Sequence, residues 1–397
     1  MLTMTTNEFE EALEQVRRRI SIAGPSVRDG RDARASLEAL RVGVPPPRGA
    51  LELSVDREDE FLQFTDDIEK VASGNSKLVI ISGSYGAGKS HLLYVLRELA
   101  LARNLAVSLV SLTHNECPIF DLLAIYRRII QGLEVEGDDR VGALESSLDR
   151  WAASVQAYAR GSRELARTVV RGLPREFQTV LTAYLHASRT NDEALRSLAL
   201  SWLRGEVSTK ADARVLGVPV PTSENALWML TNIAKLLRFL KLDGLVTLLD
   251  EAESLSSIVN LPDREAAFQN LRELTRAAHA SHCFFVYATT PDFMQYAESV
   301  FSSSSFVPRT MQVGPLARPH LVELSQVIRD LHLECYSWGN VSRVRGSNWT
   351  RSIHRLQNQG VIDNRSFVRS VVSLLDICQQ DPTIMPTDVV QVDPASS

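Results

Sequence analysis

The chain has 397 residues, 44% of them hydrophobic and 23% charged, with a net charge of −5. This is enough chain for two or three domains with sizeable cores, and the composition excludes a largely disordered protein. The slightly acidic balance excludes a globally basic nucleic-acid binder, so any such surface has to be local. No window approaches the ~18–20 apolar residues of a membrane span, and the first residues are acidic and polar where a signal peptide is basic then apolar. These features predict a cytoplasmic protein with no membrane partner. Cys117, Cys283, Cys335 and Cys378 are far apart with no CxxC pair, as expected of buried thiols in a reducing compartment.

An amphipathic pattern from Phe9 to Ile20 and a Gly/Pro-punctuated stretch ending in Val44-Pro-Pro-Pro-Arg48 read as an N-terminal extension and linker over residues 1–50. A helical run from Glu58 to Ala72 leads to the apolar strand Lys77–Ser82, a glycine loop, a helix from Lys89 to about Arg103 and a second strand, Ala106–Leu112. Strand, loop, helix, strand is a βαβ unit and predicts a parallel sheet with both faces covered.

Residues 118–241 show only helical periodicity, broken at Gly161, Gly172-Leu-Pro174, Gly205 and Gly217 to Pro221, and read as an α-helical insertion. Strands resume at Gly244–Asp250 and Cys283–Thr290, on either side of a helix over Arg264–Ala278. Ser302 to Ser305 reads as a loop tip, and a short strand, Thr310–Gly314, precedes apolar helical faces at Leu321–Leu331 and Phe367–Ile377. The expected fold is α/β, with a core over 51–317 interrupted by the insertion and a helical C-terminal domain over 318–397.

Gly83-Ser84-Tyr85-Gly86-Ala87-Gly88-Lys89-Ser90, followed by His91, fits GxxxxGK[ST] between an apolar strand and a helix. Glycines let successive N–H groups converge on phosphate oxygens, and the helix N-terminus adds a positive dipole. Lys89 supplies a point charge to the β/γ-phosphates and Ser90 a hydroxyl for Mg²⁺. The required acidic partner is Leu245-Val-Thr-Leu-Leu-Asp-Glu251: Asp250 for the Mg²⁺ shell, Glu251 to polarise an attacking water. A polar side chain at the end of the neighbouring strand can sense the γ-phosphate, with Thr290 favoured and Thr289 the alternative. ATP and Mg²⁺ are therefore the expected ligands. His279-Ala-Ser-His-Cys283 runs from a helix end into a strand and is not read as a metal site.

With these residues placed, the chain resembles the ATP-binding proteins of BREX-type phage-defence systems, a branch of the AAA+ ATPases close to the Orc/Cdc6 initiators. The resemblance rests on Leu40-Arg-Val-Gly-Val-Pro-Pro46 ahead of Arg57-Glu-Asp-Glu60, the phosphate loop through Leu93, Trp202-Leu-Arg-Gly-Glu206, Gly244 through Glu253, and Ala288-Thr-Thr-Pro-Asp-Phe293. It covers most of residues 35–380. It implies a helical lid, nucleotide-dependent assembly as a homo-oligomer or with other defence proteins, and a role against foreign DNA. The Thr at the sensing position departs from the Asn of many AAA+ proteins, so a slow-hydrolysing switch or scaffold stands as the alternative to a turning-over ATPase. In proteins of this kind a further arginine serves the γ-phosphate: Arg309 can face a neighbouring subunit's nucleotide, whereas Arg365 would approach its own, the alternative for each being a simple surface arginine.

Two basic stretches bear on double-stranded DNA as a partner. Arg163, Arg167 and Arg171, flanked by Arg160 and Arg175, form a helical stripe that reads either as a phosphate track or as a solvated face. Arginines from Arg318 to Arg369, with Tyr336, Trp338 and Trp349 interleaved, suit either nucleic acid or a lid with its tryptophans packed inward.

Overall fold

The structure, a computed structural model, describes residues 30–113, 117–137, 142–158, 172–280, 282–295, 308–336, 338, 340–359 and 363–390. The Phe9–Ile20 pattern, Ser302 to Ser305 and Arg163, Arg167 and Arg171 lie outside them.

The elements run α1 (Gly30–Val42), α2 (Glu58–Ala72), β1 (Lys77–Gly83), α3 (Lys89–Ala102), β2 (Ala106–Ser111), α4 (Leu122–Gln131), β3 (Leu133–Glu134), α5 (Ala143–Tyr158), α6 (Arg175–Thr190), α7 (Glu193–Leu203), α8 (Lys210–Leu216) and α9 (Ala226–Phe239). There follow β4 (Leu245–Asp250), a 3₁₀ turn (Ala252–Ser257), α10 (Leu261–Ala277), β5 (Cys283–Thr289), β6 (Arg309–Val313), α11 (Arg318–Cys335), a 3₁₀ turn (Val341–Val344), α12 (Gly346–Asn358), α13 (Asn364–Gln380) and α14 (Pro386–Val389). Among the described residues one sheet holds six strands in the order β3-β2-β4-β5-β1-β6. β4 is parallel to both β2 and β5, with Ser111 opposite Asp250 and Tyr287 opposite Leu249. The architecture is the expected α/β fold. No helix among the described residues is long and apolar enough to cross a membrane.

By internal contacts the chain divides into two compact units, Met1–Thr65 with Ile81–Leu99 and Met311–Ser397, and Asp66–Ile80 with Ala100–Thr310. In the second unit, β4 and β5 are buried along almost their whole length, as strands covered on both faces must be. The helical insertion shares their core: Tyr126, Phe177, Tyr184 and Trp202 are buried in one cluster with Leu245, Leu249 and Phe285. Phe177 meets the Trp202 and Trp228 rings edge-on at 5.4 and 5.6 Å, and Trp202 Nε1 donates to Pro219 O at 2.8 Å. The insertion is not wholly helical. Leu133 and Glu134 add a two-residue antiparallel strand to β2, too short to leave a periodic signal.

In the first unit, α11, α12 and α13 bury Ile328, Trp349, Ile353, Phe367, Val371 and Leu375 together with Ala33, Leu37 and Leu40 of α1 and Leu53 and Val55 beyond it. The segment that reads as linker in the sequence is therefore a fourth helix and a strap in the core of the C-terminal helices. Each such leucine contributes about 1.5–3 kcal/mol by burial. Arg41 fastens α1 further, with Nε and Nη2 donating to Asp376 at 2.9 and 2.8 Å, and His332 Nε2 bonds the same carboxylate at 3.1 Å.

Candidate functional site

The candidate residues fall into two groups, one in each unit. In the first unit, β1 ends at Gly83, Ser84–Gly88 form the loop, and α3 starts at Lys89. A side chain at Gly83 would meet Val313 O at 2.5 Å, and at Gly86, where φ is +77°, it would meet Asp363 Oδ1 at 2.6 Å. Glycine is required at both positions. Ala87 N–H donates to Ser84 O, and Leu92 N–H is bonded to Gly88 O at 3.1 Å. The amides of Lys89, Ser90 and His91 thus precede the helical ladder, at the positive end of α3. Lys89 is 8% exposed, and its Nζ donates to Gly83 O at 2.9 Å and Ser84 O at 3.2 Å, which fixes a buried cation on the loop. Ser90 is half-buried at the start of the helix, and Ser84 is exposed.

The start of α13 closes on this loop. Asn364 Nδ2 donates to Ala87 O at 3.0 Å while its Oδ1 accepts from Leu316 N–H, and Asp363 caps the helix at Ser366 N–H. Arg365 lies over the Tyr85 ring at 5.2 Å and donates to the Tyr85 hydroxyl and, at 2.6 Å, to Gly43 O. Arg365 is accordingly in contact with the glycine loop through Tyr85. His91 is turned instead to Ser54 Oγ, 2.8 Å from its Nε2, and burial aided by the Arg57 charge pushes its ring down to about 4.

Two further side chains fix the strap. Glu98, two turns into α3, accepts Ala50 N–H at 2.9 Å and Leu51 N–H at 3.0 Å, its carboxyl pushed up by burial against these bonds. Arg57 donates to Gly314 O at 2.9 Å and pairs with Glu60 at 3.2 Å. A lone acid, beside Arg97, in the mostly apolar run Leu92–Ala102 is the signal by which Glu98 is visible in the sequence.

In the second unit, β4 delivers Asp250, whose Oδ1 accepts the Glu251 N–H at 2.9 Å. Glu251 is exposed, takes left-handed backbone angles (φ 59°, ψ 38°) and accepts from Ser111 Oγ at 3.3 Å. A non-glycine residue in this region is uncommon and concentrates at functional turns. Ser111, missed in the sequence, qualifies by closing the strand beside β4. At the end of β5, Thr289 is the last strand residue, 1% exposed, and its Oγ1 has no hydrogen-bond partner among the described residues. Thr290, favoured on alignment, is half-buried and its carbonyl accepts Met294 N–H at 3.2 Å as the next helical turn starts. Arg309 opens β6 and is ion-paired to Asp67, which is 2% exposed and also lies 3.4 Å from Lys77 Nζ.

Ser90 in the first unit and Asp250 in the second are each a hard oxygen donor of the kind Mg²⁺ takes together with waters and substrate phosphates, and no trio of His, Cys, Asp or Glu clusters among the described residues.

Within the C-terminal basic stretch, part of the arginine and tryptophan set packs inward. Arg343 is 7% exposed, with its guanidinium donating to the carbonyls of Asn340, Cys378, Asp381 and Ile384. Trp349 is buried with Nε1 donating to Ser325 Oγ, and Trp338 Nε1 donates to His332 Nδ1. Arg343 and Trp349 therefore take the inward-packed alternative, while Arg318, Arg345, Arg351 and Arg369 are exposed.

The family model for BREX system ATP-binding protein BrxC/D matches residues 29–393. No curated protein matches the chain. Among solved structures, the ORC2 protein of Aeropyrum pernix, in ADPNP–ADP complexes, is similar at 14% identity over 80% of this chain and 68% of that one, with a TM-score of 0.39.

Proposed function

The chain belongs to the BREX system ATP-binding protein BrxC/D family, and from that premise we propose that it binds ATP with Mg²⁺ and hydrolyses it to ADP and phosphate in anti-phage defence. The observation that carries this reading is Lys89, a buried ammonium held on a glycine loop at the start of a helix. Lys89 and the amides beside it bind the phosphates. Ser90 and Asp250 hold Mg²⁺, which when bound neutralises phosphate charge. Glu251 polarises the attacking water, and Thr290, or Thr289 in its place, hydrogen-bonds at the γ-phosphate. Arg365 serves its own chain's nucleotide and Arg309 that of a neighbouring copy.

The test is nucleotide binding and phosphate release in three proteins. Lys89→Ala should weaken ATP binding roughly 10- to 150-fold, the worth of a hydrogen-bonded charge. Glu251→Gln should bind ATP normally yet release phosphate ~10²–10⁴-fold more slowly. Unchanged binding in the first, or wild-type turnover in the second, overturns the corresponding role. Turnover measured against protein concentration, with and without double-stranded DNA, reads assembly and DNA coupling in the same assay: a rate per chain that responds to neither removes both partners.

A further inference from the structure

Among the described residues, Arg365 is bound only to neutral groups. Its Nε donates to Gly43 O at 2.6 Å, its Nη1 to the Tyr85 hydroxyl, and its Cζ stands 5.2 Å from the Tyr85 ring centroid. No carboxylate pairs with it among the described residues. A guanidinium makes its strongest bonds to anionic oxygens, and its planar fork matches phosphate in particular. The contacts Arg365 holds are therefore its weaker kind, on a loop built for phosphate.

Tyr85 is the odd residue of that loop. The curl of the backbone needs glycines and a helix start, which the neighbouring residues supply, whereas an aromatic ring 71% exposed adds nothing to it. What the ring and hydroxyl do contact is Arg365. Gly43 completes the arrangement: the arginine side chain lies against its Cα, where a Cβ would come within 2.8 Å of Arg365 Cγ. The Nε is thus anchored on a carbonyl, and the end of the fork rests on tyrosine.

We infer that Tyr85 is a positioning residue that parks Arg365 on the phosphate loop, and that the terminal phosphate of a nucleoside triphosphate takes the guanidinium from it. The inference rests on the phosphate-loop reading given above. The parked pair sets a threshold: a triphosphate has to displace the tyrosine, whereas a diphosphate without the terminal group leaves the pair in place. Tyr85 thereby lowers the affinity for ATP relative to ADP in the resting chain.

Equilibrium binding of fluorescent ATP and ADP analogues to the full chain tests this. Tyr85→Ala removes an exposed ring, so folding is not at stake, and it should tighten ATP binding roughly 5- to 70-fold, the worth of an exposed cation–π contact plus a hydrogen bond. ADP binding should stay within about twofold on the same account. Tyr85→Phe, which keeps the ring and loses the hydroxyl, should fall between. In an Arg365→Ala background Tyr85→Ala should have no effect, a dependence that a merely structural tyrosine would not show. An unchanged or weakened ATP affinity in Tyr85→Ala, or the same gain without Arg365, overturns the inference. Lys89→Ala separates the two levels: if it loses binding while Tyr85→Ala changes nothing, the phosphate loop stands and the parking role falls. If Lys89→Ala binds normally, both fall.

Discussion

Arg309 and Asp67 form an ion pair within one chain, in which the carboxylate is 2% exposed and Lys77 is its second cation. Burial pushes the Asp67 carboxyl up, and the Arg309 and Lys77 charges oppose that shift. An arginine that serves a neighbour's nucleotide would have to leave this partner. Arg309→Ala should therefore lower stability by about 1–2 kcal/mol, allowing for the arginine's partial exposure, read as a fall in Tm, with Arg309→Lys closer to wild type. Mixing with Lys89→Ala chains reads the other role: restored hydrolysis is what a finger acting on a neighbour demands, and instability without rescue assigns Arg309 to the Asp67 pair alone.

Gly86→Ala should separate nucleotide binding from folding. Its methyl has to enter at φ +77° and meets Asp363 Oδ1 at 2.6 Å, so the loop shifts while the buried cores of both units are untouched. The expected result is loss of ATP binding by at least about tenfold with a Tm change worth about 1–3 kcal/mol, the scale of local backbone strain. Full-affinity binding would mean that the loop geometry around Asp363 is not what the nucleotide uses.

Arg343→Ala should act on stability and not on nucleic acid. Four backbone carbonyls lose a donor inside the C-terminal helices, a cost of about 2–4 kcal/mol for a buried, charge-assisted network. Arg345, two residues on and exposed, should tolerate the same change within about 0.5 kcal/mol. If denaturation midpoints rank the two variants the other way, the inward assignment of Arg343 is wrong.

What the sequence makes legible here is whatever is encoded by neighbours. The glycine loop stands directly between an unbroken apolar strand and a helix, so Gly83–Ser90 announces its strand–loop–helix fold. Asp250 likewise follows its strand without a gap. The unread features depend on partners far along the chain: Arg41 of the apparent linker binds Asp376, and Arg309 binds Asp67. Arg343 and Trp349 carry the same composition whether a helix faces nucleic acid or its own core, because periodicity shows that a face exists and not what covers it. The left-handed turn at Glu251 leaves no compositional trace, since the usual glycine or asparagine signal is absent.

The last expectation concerns pH and His91. Its Nε2 lies 2.8 Å from Ser54 Oγ, and burial together with the Arg57 charge lowers the ring to about 4, against about 6.5 in an unfolded chain. Between those values the unfolded state binds more protons than the folded one, so stability rises with pH across the interval. The contribution is complete above about pH 6.5 and is lost as pH falls toward 4, a span worth about 3 kcal/mol. Glu98 and Asp67, whose carboxyls are raised by burial, act in the opposite sense at the acid end. The wild-type slope is therefore a sum, and the informative quantity is a difference. His91→Gln keeps a hydrogen-bonding group toward Ser54 but cannot titrate, so its Tm should fall less than that of the wild type between pH 7 and about pH 5. Parallel Tm curves for the two proteins would show that His91 is not held neutral against Ser54 in the folded chain.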